Sequence, residues 1–528
     1  MDSWPMDEQV DVVVVGAGPV GLLLAIELKL GGAGVMVLER LTAPSVALKG
    51  TAVGPLGVEA LQRRSMGPAL AGAEDRHFAA MGPVGVERRA QAHRSRGHFA
   101  LLPLRSEAVG EPERRMLWVN QQGVEAILGA RAAALDIEVR RGCEVTGLDQ
   151  HDDGVALHWA SPDGPEHARC AWLVGCDGGR SSIRKLAGFA FPGTPPSQFM
   201  YQAVLDLDHP ERLPRGSTRT PEGVVMNGPR PRWLAMHDFS GPLADRNAPV
   251  TREEIEGVLR RISGADVRVT AMEQANRFTD SARLVDTYRR DRVLLAGDAA
   301  HIHSPLGGQG LSLGLVDAAN LGWKLAAVVR GDKPDSLLDS YTSERRPVAE
   351  AVLANTLAQV ALTRSDPQSS AMRQIFAKLM EIDAVNGHLD GLTSGLATRY
   401  DLGAERDLVG RLTGDRPVGR ADARTSLFAE MAEGEGIVLD ASPDGQAAGL
   451  AAGFTRVRCL PADAGPSMLI RPDGCIAWAG DVGDVEGLVD ALERWFASAA
   501  PRPGGFQEQS CSASRSSRYS TLATSAKA

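Results

Sequence analysis

Three glycine-rich or Asp-Gly clusters hold the chemistry this 528-residue chain can do. Gly16-Ala17-Gly18-Pro19-Val20-Gly21 has the spacing G-x-G-x-x-G. In such a turn the first glycine permits the tight bend, the second lets a pyrophosphate approach the backbone, and the third lets helix and strand pack closely. Unpaired N–H groups of the following helix then face the phosphates, with the positive end of the helix dipole behind them. Glu39 stands 21 residues after Gly18, where a carboxylate can bond ribose hydroxyls, and Arg40 follows it. A second cluster is Cys176-Asp177-Gly178-Gly179-Arg180, with Arg184 close behind. Taken alone this reads as an Asp-Gly turn, braced by Asp177, before a capped helix; in a phosphate site Arg180 and Arg184 would bring the cations. The third runs from Gly297-Asp298 to Pro305-Leu306-Gly307-Gly308-Gln309-Gly310-Leu311-Ser312, a glycine loop opening a long helix. Two nucleotide-type turns about 280 residues apart point to one extended dinucleotide gripped at both ends.

Such turns need a strand in front and a helix behind. Residues 10–15 (VDVVVV) are a β-branched run suited to a strand buried on both faces. Residues 19–30 read as a helix and 35–38 as a second buried strand, which completes a βαβ unit. Residues 42–112 read as irregular, and 118–135 as helical. Strands are expected at 138–148, 155–160, 172–176 and 293–296, and long helices over 311–330 and most of 337–379. Residues 190–275 read as a separate, strand-rich sheet domain. A break rich in Gly, Arg and Asp spans 387–425, and short strands with a final helix fill 426–497. The Ser-rich tail from 501 reads as disordered.

Composition removes several function classes. There are 57 Lys and Arg against 66 Asp and Glu, a formal charge of −9, which gives no support for nucleic acid or an anionic membrane as partner. No apolar run reads as a membrane span, and the acidic N-terminus lacks the basic region of a signal peptide. The six cysteines form no CxxC pair, which argues against a zinc site, a redox dithiol or a disulfide framework. Cytoplasm is the expected compartment. His301 and His303 lie near the third cluster but have no carboxylate at metal spacing, so no metal is expected. No Ser/His/Asp or Walker pattern competes.

The three clusters, in this order, resemble the flavin-dependent aromatic hydroxylases, the family of p-hydroxybenzoate hydroxylase, and within it the aromatic polyketide monooxygenases. Gln121, in the pattern Q-x-x-V-E with Glu125, matches a family glutamine that contacts the cofactor. Residues 469–480 (LIRPDGCIAWAG) resemble a segment of the polyketide branch's C-terminal thioredoxin-like domain. Two positions depart from the pattern. Ser312 stands where the family has Asn, and Lys49 where it has Arg; lysine keeps the charge but loses the planar fork.

The resemblance implies an α/β fold: a Rossmann-like FAD-binding domain, a discontinuous mixed-sheet substrate domain, and a thioredoxin-like domain lacking CxxC. The boundaries expected are 1–80, 108–188 and 276–385 for FAD; 81–107 and 189–275 for substrate; 386–425 as linker; 426–500 for the third domain; and 501–528 as tail. FAD would be held by Gly16, Gly18, Pro19, Gly21, Glu39, Arg40, Lys49, Gln121, Asp177, Asp298, Pro305, Gly307, Gly308, Gly310, Leu311 and Ser312. Met226, Trp233, Met236 and Phe239 are the candidates for the substrate cavity, with core packing as the competing reading of each. No side chain is assigned a catalytic role, because the flavin carries the chemistry. The family chemistry uses NADPH or NADH as transient reductant and O₂, through a C4a-(hydro)peroxyflavin, to hydroxylate a polycyclic aromatic polyketide in secondary metabolism. Baeyer–Villiger insertion or oxidative rearrangement on the same scaffold is the alternative, with the Lys49 and Ser312 departures leaving room for it. A non-catalytic flavin-binding scaffold is the alternative of another class. A monomer or a homodimer fits either.

Overall fold

The valine run forms β1 (Gln9–Val15), with Val12, Val13 and Val14 fully buried. The computed structural model describes residues 9–105, 111, 113–228, 232–241, 248–420, 424–442, 444–463 and 465–499. The expected tail, 501–528, lies outside them. From β1 the chain turns into α1 (Pro19–Leu30) and returns as β2 (Val35–Glu39), parallel to β1. Helices α2 (Pro55–Gln62) and α3 (Gln121–Ala134) follow; Asn120 caps α3 by accepting from the Gly123 N–H. Strand β3 (Glu138–Arg141) pairs with β2, and β4 (Gly164–Gly175) lies parallel on the other side of β1.

A separate antiparallel sheet comes next. It holds β5 (Phe199–Leu207), β6 (Gly216–Thr220), β7 (Gly223–Asn227), β8 (Trp233–Asp238) and β9 (Val269–Thr279), in the order β6-β7-β8-β5-β9. Helix α4 (Arg252–Ser263) covers one face. Its Ile255, Val258, Leu259 and Ile262 pack on Tyr201, Leu205, Leu234 and Met236. The chain then returns to the first sheet as β10 (Val293–Leu295), parallel to β4. Helix α5 (Gly310–Val329) follows and packs on α1 and α2, and α6 (Asp339–Thr363) comes after it. The last sheet has β11 (Gly436–Asp440), β12 (Val457–Pro461), β13 (Ser467–Ile470) and β14 (Ile476–Gly480) in the order β12-β11-β13-β14. β11 and β12 are parallel and the other pairs antiparallel.

Three expectations need correction. Residues 42–112 are not irregular. Helices Pro55–Gln62, Gly67–Ala79 and Pro83–Arg94 fill much of the segment, the first two with proline in the first turn, where the missing N–H costs nothing. The hairpin Ser95–Phe99/Leu102–Arg105 does not join the second sheet. Its Phe99 and Leu104 pack with Leu362 of α6 and with Met380 and Leu389. Residues 386–425 are no loose linker. The helix Asp383–Ser394 occupies their start, and Tyr400, Leu402, Val409 and Leu412 are buried in the main core. Helix α5 is long and apolar enough to cross a membrane, but 94% of its apolar window is buried inside the protein, as in a core helix.

Candidate active site

Two helix N-termini converge on one cleft of about 1070 Å³. The first belongs to α1. Gly16 takes φ +109°, open to glycine alone, and a Cβ there would lie 2.5 Å from the Cys176 carbonyl oxygen. A Cβ on Gly21 would lie 1.9 Å from the Gly16 oxygen, so this glycine lets helix and strand touch. Gly18 differs: a Cβ there meets nothing within 4 Å, and the α1 N-terminus behind it has no side-chain cap. The second N-terminus belongs to α5, again without a side-chain cap, and Gly308 before it also faces open space. Uncapped N–H groups beside open backbone are what a polyanionic dinucleotide needs. The residues present therefore fit FAD.

Of the expected cofactor residues, Gly18, Pro19, Lys49, Gln121, Asp298, Pro305, Gly307, Gly308, Gly310 and Leu311 line the cleft together. Asp298 is an exposed carboxylate there. The Lys49 loop is fixed by Asn276, whose amide donates to the Leu48 carbonyl at 2.7 Å. Gln121 donates to Glu125 at 2.8 Å. Gly16, Gly21, Glu39, Arg40, Asp177 and Ser312 do not line it. Glu39 accepts from the N–H groups of Ala17 and Leu41, both at 2.8 Å, and so holds the glycine turn; Arg40 is exposed outside the cleft. Asp177 accepts from Ser182 and Ile183 N–H at 2.6 and 3.2 Å, bracing the turn behind Gly178, while its Oδ1 is buried without a partner. Arg184 ties two cleft loops, donating to the carbonyls of Ala299 and Gly179.

Ser312 is turned toward α2, where its hydroxyl accepts from the Gly54 N–H at 2.8 Å. A Cβ on Gly54 or Gly57 would come within 2.9 or 2.8 Å of that oxygen, so α2 crowds the position. The two histidines divide. His301 is buried against Asp317 at 2.7 Å, which Arg345 also holds at 2.7 Å. His303 lines the cleft with its Nε2 buried and unpartnered, and burial keeps its pKa low.

Past Pro305 and Gly308 lies a second cavity of about 610 Å³ against β5, β7 and β8. Met226 and Trp233 line it. Met236 does not: alternation along β8 sends Leu234 and Met236 into the core under α4, and Trp233, Ala235 and His237 toward the cavity. Phe239, beyond the end of β8, also lies outside the lining. His98, Trp118, Met200, Gln202 and His237 line the cavity without having been expected. The period-two pattern of β5 and β8 held the signal for Met200, Gln202 and His237, but not which face was which. Burial pushes the pKa of both His98 and His237 down to about 4, so both are neutral at pH 7.

The FAD binding domain profile matches residues 9–356, and the C-terminal domain profile of aromatic-ring hydroxylases matches 406–499. The chain belongs to the FAD-binding aromatic-ring hydroxylase family. FAD is its cofactor and it is a flavoprotein monooxygenase by descent. It is 39% identical over 520 residues to 12-dehydrotetracycline 5-monooxygenase/anhydrotetracycline 6-monooxygenase of Streptomyces rimosus subsp. rimosus, covering 93% of this chain and 99% of that protein. Dialkyldecalin synthase of Streptomyces rugosporus is 34% identical over 502 residues, with coverage of 93% and 99%. The solved structure of CabE, an aromatic hydroxylase from angucycline biosynthesis, superposes with a TM-score of 0.82 at 35% identity, covering 93% of this chain and 99% of CabE.

Proposed function

We infer that this family member hydroxylates a polycyclic aromatic polyketide, using FAD, O₂ and a reduced nicotinamide, NADPH or NADH. The observation that carries the reading is the continuity of the two spaces: Thr51, His98, Trp118, Gln202, Phe278, Pro305 and Gly308 line both the cofactor cleft and the cavity beyond. A planar substrate in the second space would meet the part of the cofactor that the α5 N-terminus holds. The tetracycline and angucycline hydroxylases named above support the substrate class.

Bound FAD supplies hydride acceptance from the nicotinamide and activation of dioxygen. The chain's own residues do the rest. The α1 N-terminus and Gly18 would take the pyrophosphate, with Arg180 and Lys49 as nearby cations. Asp298 would hold the ribitol hydroxyls. Backbone N–H groups at Gly308–Leu311 would stabilise negative charge on the flavin ring. The cavity walls keep bulk water from the reacting atoms. Five cysteines among the described residues are free, which supports the cytoplasm as compartment.

Ser312 gives no ground for carbonyl insertion over ring hydroxylation, because its hydroxyl is turned to Gly54 and does not line the cleft. The test is direct. The purified yellow protein is mixed with NADPH or NADH under ¹⁸O₂ and a tricyclic or tetracyclic hydroxyquinone. A product heavier by one labelled oxygen, with a new phenol by NMR, is expected. A lactone would move the reading to insertion, and a flavin that no nicotinamide reduces with any substrate would leave a binding scaffold.

A further inference from the structure

The second cavity has polar groups in its wall that no group among the described residues satisfies. The indole Nε1 of Trp233, the Nδ1 of His237 and the Oε1 of Gln202 are each buried with no hydrogen-bond partner. All three residues line the cavity. His237 is 96% buried, and its Nδ1 has no hydrogen-bond partner among the described residues. Leaving such a group buried and unpaired is costly, so three together in one wall call for a ligand that pairs them.

Their arrangement is set by strand register. Met200 lies opposite His237, Gln202 opposite Ala235, and Val204 opposite Trp233. Ala235 thus sits at the centre of a flat patch with a polar group on three sides and Met200 at a corner. The small side chain at the centre leaves the patch open. Trp233 and His237 are four residues apart on one strand face, roughly 13 Å. One aromatic ring would leave most of that length bare, whereas three or four fused rings cover it.

We propose that this patch is the specificity platform of the enzyme: it selects a planar, fused-ring substrate oxygenated at both ends of its long axis, with Trp233 donating to an oxygen at one end, His237 bonding a hydroxyl or carbonyl at the other, and the Gln202 Oε1 accepting from a hydroxyl on the edge between them. The proposal rests on the polyketide reading above and deepens it. The indole is a donor only, so its partner must accept, which a carbonyl, a hydroxyl or an ether oxygen does. A neutral imidazole offers one donor and one acceptor. Its neutrality follows from its surroundings: His98 is the titratable group that faces it, while Arg88 and Arg215 are the cations lining the same cavity. Binding through His237 is therefore flat from pH 6 to 8.

The test uses the FAD-loaded full chain and reads flavin absorbance or fluorescence on titration with 2,6-dihydroxyanthraquinone, its dimethyl ether, and unsubstituted anthraquinone at pH 6.5. The dihydroxy compound is expected to bind at least tenfold more tightly than anthraquinone. W233F and H237F should each shrink that ratio severalfold, while anthraquinone itself binds as well as before or better; Q202L, whose partner is an edge hydroxyl that neither compound carries, should leave the ratio unchanged and serves as the control. Because the ratio is taken within each variant, a partly unfolded sample does not mimic the effect; the 450 nm band retained after desalting confirms that FAD stays bound. W233F should still separate the dihydroxy compound from its dimethyl ether, since the indole donates to a hydroxyl and an ether oxygen alike, whereas H237F should lose that distinction. An unchanged ratio in both W233F and H237F overturns the proposal, as does the absence of any binding by the dihydroxy compound up to its solubility. Tight, selective binding without oxygen transfer would leave the platform standing and remove the hydroxylase reading instead. Oxygen transfer with unaltered ratios in the variants would do the reverse.

Discussion

At the scale of single residues, Asp298 and Ser312 stand fourteen positions apart in the same motif and do different work. Asp298 is an exposed carboxylate in the cleft, where no ion pair among the described residues holds it. Asp298→Ala should weaken FAD binding by about ten- to a hundredfold, the worth of a hydrogen bond to a charged group, with apo-protein melting unchanged; flavin retained on a desalting column reads it. Ser312 accepts one N–H at the start of α2. Ser312→Ala should cost about 1 kcal/mol of stability, as the loss of a cap does, with FAD affinity and NADPH coupling unaltered. A drop in coupling without a drop in stability would put the hydroxyl back at the flavin. The residue types and spacings of the motif were legible in the sequence, but the direction of Ser312 was not. That direction depends on α2, whose Gly54 and Gly57 lie about 250 residues earlier.

At the scale of elements, the β1–α1 turn shows how one motif divides its glycines. Gly18→Ala adds a methyl to open space at φ −74°, a conformation alanine adopts freely. It should leave the apo-protein as stable as before and lower FAD affinity. Gly21→Ala puts the same methyl 1.9 Å from the Gly16 oxygen and should prevent the unit from folding, seen as insoluble protein or a lost cooperative melt. The βαβ unit, the return of β10 to the sheet and the long α5 could all be read from local patterns, because a buried parallel strand and a glycine loop each leave a short signature. The second sheet could be placed but not faced. Residues 233–237 alternate Trp, Leu, Ala, Met and His, and size alone nominates Met236 for the cavity. The face is decided by α4, whose apolar side claims Leu234 and Met236 and leaves the smaller Ala235 outward. In the last sheet the order β12-β11-β13-β14, with β11 and β12 parallel, supports a thioredoxin-like reading, and Cys459 and Cys475 are sixteen residues apart, which supports a structural role.

At the scale of the whole molecule, α5 is the member that connects cofactor and C-terminal domain. Its first turn faces the cleft, Asp317 in its middle holds His301 and Arg345, and Asn320 and Lys324 further along reach Glu344 of α6. Arg471 and Asp473, from the RPDG segment before β14, close the network: Arg471 pairs with Glu344 at 2.7 Å and Asp473 accepts from Asn320 at 3.0 Å. The RPDG segment thus fastens the third sheet to the helix whose N-terminus lines the cleft. All of these groups are out of water, so removing one leaves another charge unpaired. Arg471→Met should cost about 3–5 kcal/mol, read by urea unfolding. The same network sets a pH dependence. Burial disfavours the Glu344 carboxylate, but Arg471 and Lys324 overcome burial and hold its pKa well below the ordinary 4.5. A carboxyl depressed in the folded state contributes stability that is fully present above the unfolded value and is lost as pH falls below it. The wild type should therefore hold its stability from pH 7 to 5 and lose it steadily below about 4.5. In Arg471→Met the cation that holds Glu344 low is gone, so its share of that acid-side slope should shrink and the two stability curves should converge as pH drops. Parallel curves down to pH 3 would show that the RPDG arginine is not what keeps Glu344 charged, and that the third sheet is fastened by packing alone.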